Sequence, residues 1–242
     1  MKILPKSAWR ALRAGRNRVL GIPAPGAINF GDLRRLRPIS RDFGTDRGLA
    51  IDRHYIEKFV AANATDVRGR VLEIGDDSYT RRYGGDRVAR SDIWHATAQN
   101  PRATIVGDLA NPPPLEANQF DCVILTQTLQ LIESPSAALE TVQSLLKPGG
   151  VLLLTVPCIT SVVPWSEWGP RWYWGFTGNG VTKLLQKAFG DRANIRVELY
   201  GNVLSATAFL HGLAAQELTS DELDYVDADY QVIVAAHGQT SR

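Results

Sequence analysis

The chain has 242 residues, 44% hydrophobic and 21% charged, which supplies ample material for one buried core and excludes a disordered or collagen-like polymer. The formal net charge of +2 hides an asymmetry: residues 1–40 hold nine Lys or Arg against Asp32 alone, while the remainder holds eighteen basic and twenty-four acidic residues. Charges interrupt every apolar run near the N-terminus and nothing later approaches the ~18 apolar residues of a membrane span, so neither a cleaved signal nor a transmembrane helix is expected.

The charge step and the turn residues divide the chain into a basic N-terminal extension, 1–45, and an α/β domain, 46–242. In the extension, Trp9, Leu12 and Leu20 among Lys6, Arg10, Arg13 and Arg16 suggest a short basic helix ended by Pro23, Pro25 and Gly26. Such an arm is either a solvated extension or a contact for an anionic bilayer surface; a nucleic-acid partner is not expected. Ile51, Tyr55, Ile56, Phe59 and Val60 recur at helical spacing and predict a helix over 51–63.

From there the pattern changes to short apolar runs alternating with helical ones, as a parallel sheet covered by helices requires. Strands are expected at 70–74, 88–92, 103–106, 121–126 and 151–156, with a helix over 135–146 ended by Lys147-Pro148-Gly149-Gly150. A helix over 181–189, a strand over 195–200, a helix over 204–217 and a strand over 230–236 complete the chain. Cys122 and Cys158 lie in apolar stretches, which suits a reducing cytoplasm and not a disulfide or metal site. Nothing visible calls for a metal.

Val71-Leu72-Glu73-Ile74-Gly75 reads as a buried strand ending in an acid and a glycine, the place where a nucleotide-type ligand meets an open parallel sheet. Asp92 follows seventeen residues after Gly75, near the ~20-residue offset of a ribose-binding carboxylate, and Asp108 closes the next strand. The plainer reading is that Glu73 and Gly75 end a strand and that Asp92 and Asp108 cap the segments after them. Trp165, Trp168, Trp172, Tyr173 and Trp174 crowd the stretch after the fifth strand, either to stack on a sugar face or to pack a loop over the core. His54, His95 and His211 are candidate bases, each with a structural role as the alternative.

Gly107-Asp108-Leu109, Phe120-Asp121-Cys122-Val123-Ile124-Leu125-Thr126-Gln127-Thr128-Leu129-Gln130 and Leu146-Lys147-Pro148-Gly149-Gly150-Val151-Leu152-Leu153-Leu154-Thr155-Val156-Pro157 together resemble the class I S-adenosylmethionine-dependent methyltransferases, of the type 11 group. The resemblance implies a Rossmann-like seven-stranded sheet with helices on both faces and an antiparallel last strand. It implies that Glu73 and Gly75 line the methionine end of S-adenosylmethionine, that Asp92 binds ribose, that Asp108 with Leu109 borders adenine, and that Thr126 and Gln127 face the sulfonium and the acceptor. The sequence departs from the family where E-x-G-x-G-x-G reads Glu73-Ile74-Gly75-Asp76-Asp77-Ser78-Tyr79. Glu73, Asp76 and Asp77 would favour a cationic cofactor there, with Arg81 or Arg82 balancing its carboxylate.

The flanks, Arg41 to Glu57 and Tyr200-Gly201-Asn202-Val203-Leu204 with His211-Gly212-Leu213, are similar to bacterial methyltransferases found beside glycosyltransferases in polysaccharide pathways. That similarity implies O-methylation of a sugar in a surface glycan or its precursor, bound by Trp172, Tyr173 and Trp174. It also implies a glycosyltransferase partner and a cytoplasmic location, with the arm as a candidate contact at the inner face of the membrane. The competing expectation is a non-catalytic scaffold of the same fold. A nicotinamide oxidoreductase stands third, because the loop lacks G-x-G-x-x-G.

Overall fold

Side chains buried on both faces of a strand demand hydrogen-bonded neighbours at both edges and helices above and below, and the apolar runs of this chain meet that demand in one sheet. The computed structural model describes residues 5, 12, 15–16, 19–162, 169–190 and 192–241. Strands β1 (Gly69–Ile74), β2 (Val88–His95), β3 (Ile105–Val106), β4 (Phe120–Thr126), β5 (Leu146–Pro157), β6 (Asn194–Tyr200) and β7 (Ile233–Gln239) are arranged in the order β3, β2, β1, β4, β5, β7, β6. The first five are parallel, and β7 inserts antiparallel between β5 and β6. The expected seven-stranded Rossmann-like sheet is therefore present.

Successive residues of the central strands point to opposite faces and build two cores. Val71, Cys122, Ile124 and Leu153 pack with Ile51, Tyr55, Ile56 and Phe59 of helix α1 (Ile51–Ala62) and with Phe209 of α4 (Val203–Leu210). Leu72, Val123, Leu125 and Leu152 pack instead with Leu139 and Val142 of α2 (Pro135–Leu145) and Val181 and Leu185 of α3 (Gly178–Phe189). A short α5 (Ser220–Asp224) follows, started by the Thr219 hydroxyl, which accepts from Glu222 N. Asn202 starts α4: its Oδ1 accepts from Leu204 N and Ser205 N, and its Nδ2 donates to the Glu222 and Tyr225 carbonyls.

Several elements have other bounds than expected, among them the third strand, which is only Ile105–Val106, and the last, which runs Ile233–Gln239. Strand β2 runs past Asp92 to His95, because Ile93 and Trp94 are both buried and Trp94 pairs with Ile74. The helix expected over 204–217 stops at Leu210, where Gly212 takes φ +69 and packs so closely on Ser40 that a Cβ would strike its carbonyl. Strand β5 starts at Leu146 and carries Lys147 to Gly150 within it as an irregularity opposite Phe120. Between β1 and β2 the covering element is a single π-helical turn, Thr80–Gly84, followed by the 3-10 turn Gly85–Arg87.

By its contacts the chain divides into Met1–Arg37 and Pro38–Arg242. Within the first unit a 3-10 turn spans Gly31–Leu33, and the Arg34 guanidinium lies 5.2 Å from the centre of the Phe30 ring. Lys6, Trp9, Arg10 and Arg13, on which the amphipathic reading of the arm rests, lie outside the described residues. No helix among the described residues is long and apolar enough to cross a membrane.

Candidate functional site

In a parallel sheet the carboxyl ends of the strands share one edge, and where neighbouring connections leave to opposite faces a crevice opens. Here β1, β2, β3 and β4 end around a cavity of ≈ 600 Å³. Glu73, Gly75, Asp108, Leu109, Thr126 and Gln127, all expected at a cofactor site, line it together. From Asp108 beyond β3 to Thr126 at the end of β4 the edge crosses three strand spacings, about 14 Å. That length accommodates an extended nucleoside joined to an amino acid.

Glu73 is 2% exposed, and its carboxylate accepts from Tyr79 N at 3.1 Å and from Thr80 N at 2.7 Å. Burial outweighs these two bonds and pushes its pKa up to about 7. A cation arriving beside it favours the ionised form. Gly75 takes φ +97, and a Cβ built there would meet nothing within 4 Å, so the glycine leaves open space on the cavity wall for a ligand to approach the backbone. Gln127 holds φ +46 at the end of β4, an unusual backbone for a side-chain-bearing residue, fixed by its N–H donating to the Thr155 carbonyl at 2.9 Å. Asp108 also closes its own turn, its Oδ1 accepting from Ala110 N at 3.0 Å.

Two expected cofactor residues are not brought to the cavity. Asp92 lies mid-strand and is 1% exposed; Arg70 Nε donates to its Oδ2 at 2.7 Å and Arg90 Nη2 to its Oδ1 at 3.0 Å. With both oxygens engaged by guanidinium groups and the carboxylate below the rim, the ribose role does not fit, and His95 occupies the strand end in its place. Asp77 is also buried and pairs with Arg102 and with Arg81, the latter at 3.1 Å. Arg82 pairs with Glu57 at 2.9 Å, so neither Arg81 nor Arg82 is placed to balance a ligand.

Of the candidate bases only His95 reaches the cavity. Its Nδ1 lies 2.7 Å from the Thr97 carbonyl and 3.2 Å from Thr97 N, so Thr97 fixes the ring at the strand end. His54 sits on α1 edge-on to Tyr55, with burial holding its pKa below the usual imidazole value. His211 follows α4 and serves through its carbonyl, which accepts from Ile39 N at 2.8 Å and Ser40 N at 3.2 Å.

Trp165 and Trp168 lie outside the described residues. Tyr173 lines the cavity, whereas Trp172 and Trp174 do not. The segment is pinned to the loop after β4: Tyr173 N and Trp174 N donate to the Gln130 carbonyl, and Trp174 Nε1 donates to the Ile132 carbonyl at 2.9 Å. Arg53, Trp94, Glu133 and Arg171 line the cavity without having been marked by the sequence. Trp94 is signalled only by the apolar pair Ile93-Trp94 that continues beyond Asp92; the other three carry no motif.

A family profile described as a methyltransferase domain matches residues 42–190. The chain belongs to this methyltransferase family. S-adenosylmethionine is the cofactor this membership assigns, and the open space at Gly75 beside the carboxylates of Glu73 and Asp76 suits its cationic end. Among solved structures, the chain is similar to a Thermotoga maritima S-adenosylmethionine-dependent methyltransferase titled as a possible histamine N-methyltransferase, with TM-score 0.52 and 18% identity over 81% of this chain and 95% of that one. It is also similar to an S-adenosylmethionine-dependent methyltransferase from Mesorhizobium loti, with TM-score 0.52 and 15% identity over 78% and 98% of the two chains. The [4+2]-cyclase SpnF shares the fold as well, with TM-score 0.53 and 16% identity over 97% and 94%. No curated protein sequence matches the chain.

Proposed function

We propose that this methyltransferase transfers the methyl group to a sugar hydroxyl of a surface glycan or its precursor. The observation that carries the reading is a cavity lined both by Glu73, Gly75, Asp76 and Asp108 along the strand ends and by Tyr173, Glu133 and Thr128 around the loop after β4. When bound, S-adenosylmethionine supplies an electrophilic methyl group on its sulfonium. The Tyr173 ring offers an apolar face for a pyranose, and the Thr128 hydroxyl offers a polar group to orient it. Holding the acceptor oxygen in line and excluding water supplies most of the acceleration.

The acceptor proton leaves late, and Glu133 is the group on that loop placed to take it. His95 serves this role less well, because β1 lies between its strand and β4. A glycosyltransferase partner and contact of the basic arm with an anionic membrane belong to the same proposal. The test is incubation with isotopically labelled S-adenosylmethionine and a panel of nucleotide sugars, lipid-linked sugars and amines. Label in an O-methyl sugar supports the reading, and label only in amines overturns it.

A second reading, a non-catalytic scaffold, is favoured by one observation: the loop after β1 keeps only Gly75 of the family's glycines. It requires that the full chain bind no S-adenosylhomocysteine.

A further inference from the structure

The loop after β1 fills with Asp76, Asp77, Ser78 and Tyr79 the positions where backbone normally approaches the cofactor, and the fold engages the amides of Gly75, Ser78, Tyr79 and Thr80 itself. Gly75 N donates to the Trp94 carbonyl at 2.8 Å, and Ser78 N donates to Asp76 Oδ1 at 2.7 Å. Tyr79 N and Thr80 N both donate to Glu73. An amide already donating to a carboxylate is not offered to a second anion. A zwitterionic ligand whose cationic groups lie near Glu73 and Asp76 must still pair its own carboxylate, because an unpaired charge removed from water is costly.

A guanidinium stands at that end of the cavity. Arg53 extends from the first turn of α1 and lines the same wall as Glu73, Asp76 and Tyr79. Its Nη1 donates to Tyr79 Oη at 2.8 Å. Tyr79 is itself buried, so its phenol is a fixed brace. One of five guanidinium donors is used by Tyr79, and the planar fork of those remaining matches a carboxylate. The other guanidinium at the cavity, Arg171, belongs to the segment next to Tyr173.

The geometry points to Arg53, braced by Tyr79, as the receptor for the carboxylate of the cofactor's methionine moiety. Tyr79 is then part of a rebuilt site: the side chain that crowds the glycine loop also positions the cation that replaces it. This inference rests on the S-adenosylmethionine reading of the cavity.

The test compares equilibrium binding of S-adenosylmethionine and decarboxylated S-adenosylmethionine to the full chain and to Arg53→Met, Arg53→Lys and Tyr79→Phe. Their melting temperatures are measured alongside. Wild type should prefer the carboxylated ligand by about 10- to 100-fold, the range for charge-assisted bonds. Arg53→Met should bind the two ligands equally, with affinity for the decarboxylated ligand retained. Arg53→Lys should keep part of the preference, and Tyr79→Phe should reduce it. A wild type that binds both ligands equally, or an Arg53→Met variant that keeps the preference, overturns the assignment of Arg53 and leaves the cofactor reading intact. A wild type that binds neither ligand overturns both.

Discussion

Glu73 couples the stability of this protein to pH in a direction opposite to that of an ordinary salt-bridged carboxylate. Its usual value of 4.5 rises to about 7 in the fold, chiefly through burial. Between those values the folded state holds one proton more than the unfolded chain, so the contribution is full below pH 4.5 and is lost as pH rises through 7. The slope is about 1.4 kcal/mol per pH unit, which sums to about 3 kcal/mol across the window. Glu73→Gln removes the proton equilibrium. The variant's amide oxygen still accepts one of the two N–H groups from Tyr79 and Thr80, and its amide nitrogen faces the other, which adds an offset independent of pH. Urea unfolding of both proteins from pH 4.5 to 8 isolates the effect, because every other titration cancels in the difference. The wild type should lose about 3 kcal/mol more than the variant as pH rises. Parallel curves would show that Glu73 is ionised in the fold and that burial does not raise its pKa.

Four further outcomes follow from the same geometry. S-adenosylmethionine binding, measured calorimetrically, should weaken about tenfold per pH unit below 7 and level off above it, since the cation selects ionised Glu73; Glu73→Gln should flatten the profile. Asp92→Ala should cost about 1 to 3 kcal/mol in chemical denaturation, because it removes the buried acceptor shared by Arg70 and Arg90, of which Arg70 keeps Gln119, and it should leave cofactor affinity unchanged. Asn202→Ala should cost ~2 to 4 kcal/mol by removing the α4 cap and orphaning the Glu222 and Tyr225 carbonyls, again with unchanged cofactor affinity. Glu133→Gln should lower kcat toward a sugar acceptor about 10²- to 10⁴-fold while the dissociation constant of S-adenosylhomocysteine stays fixed.

Apolar periodicity made the strands and helices legible because both cores are built by simple alternation, as Val71 and Leu72 or Val123 and Ile124 illustrate. The cavity residues that end strands, Glu73, Gly75 and Thr126, were legible for the same reason: strand position fixes them. Asp92 was misleading because an acid near a strand terminus looks like a ligand group. What decides its role is the cross-strand register that sets it opposite Leu72 and within reach of Arg70 and Arg90. Arg53 was invisible for a related reason. It reaches the cavity from α1, and only the packing of α1 on the sheet sets it beside Tyr79. Of the flanking segments singled out in the sequence only Arg53 lines the cavity; elsewhere they meet each other, Gly44 packing so closely on Leu213 that a Cβ would strike its carbonyl.

A glycine loop rebuilt with Asp76, Asp77 and Tyr79 should still bind S-adenosylmethionine at the carboxyl ends of β1 and β4. Calorimetric titration of S-adenosylhomocysteine into the full chain, repeated with Gly75→Leu, tests it most directly. Saturable binding at a single site is expected in the wild type, and its loss in the variant, whose side chain would enter the cavity. Absence of heat at millimolar ligand, or binding undiminished in Gly75→Leu, would contradict it.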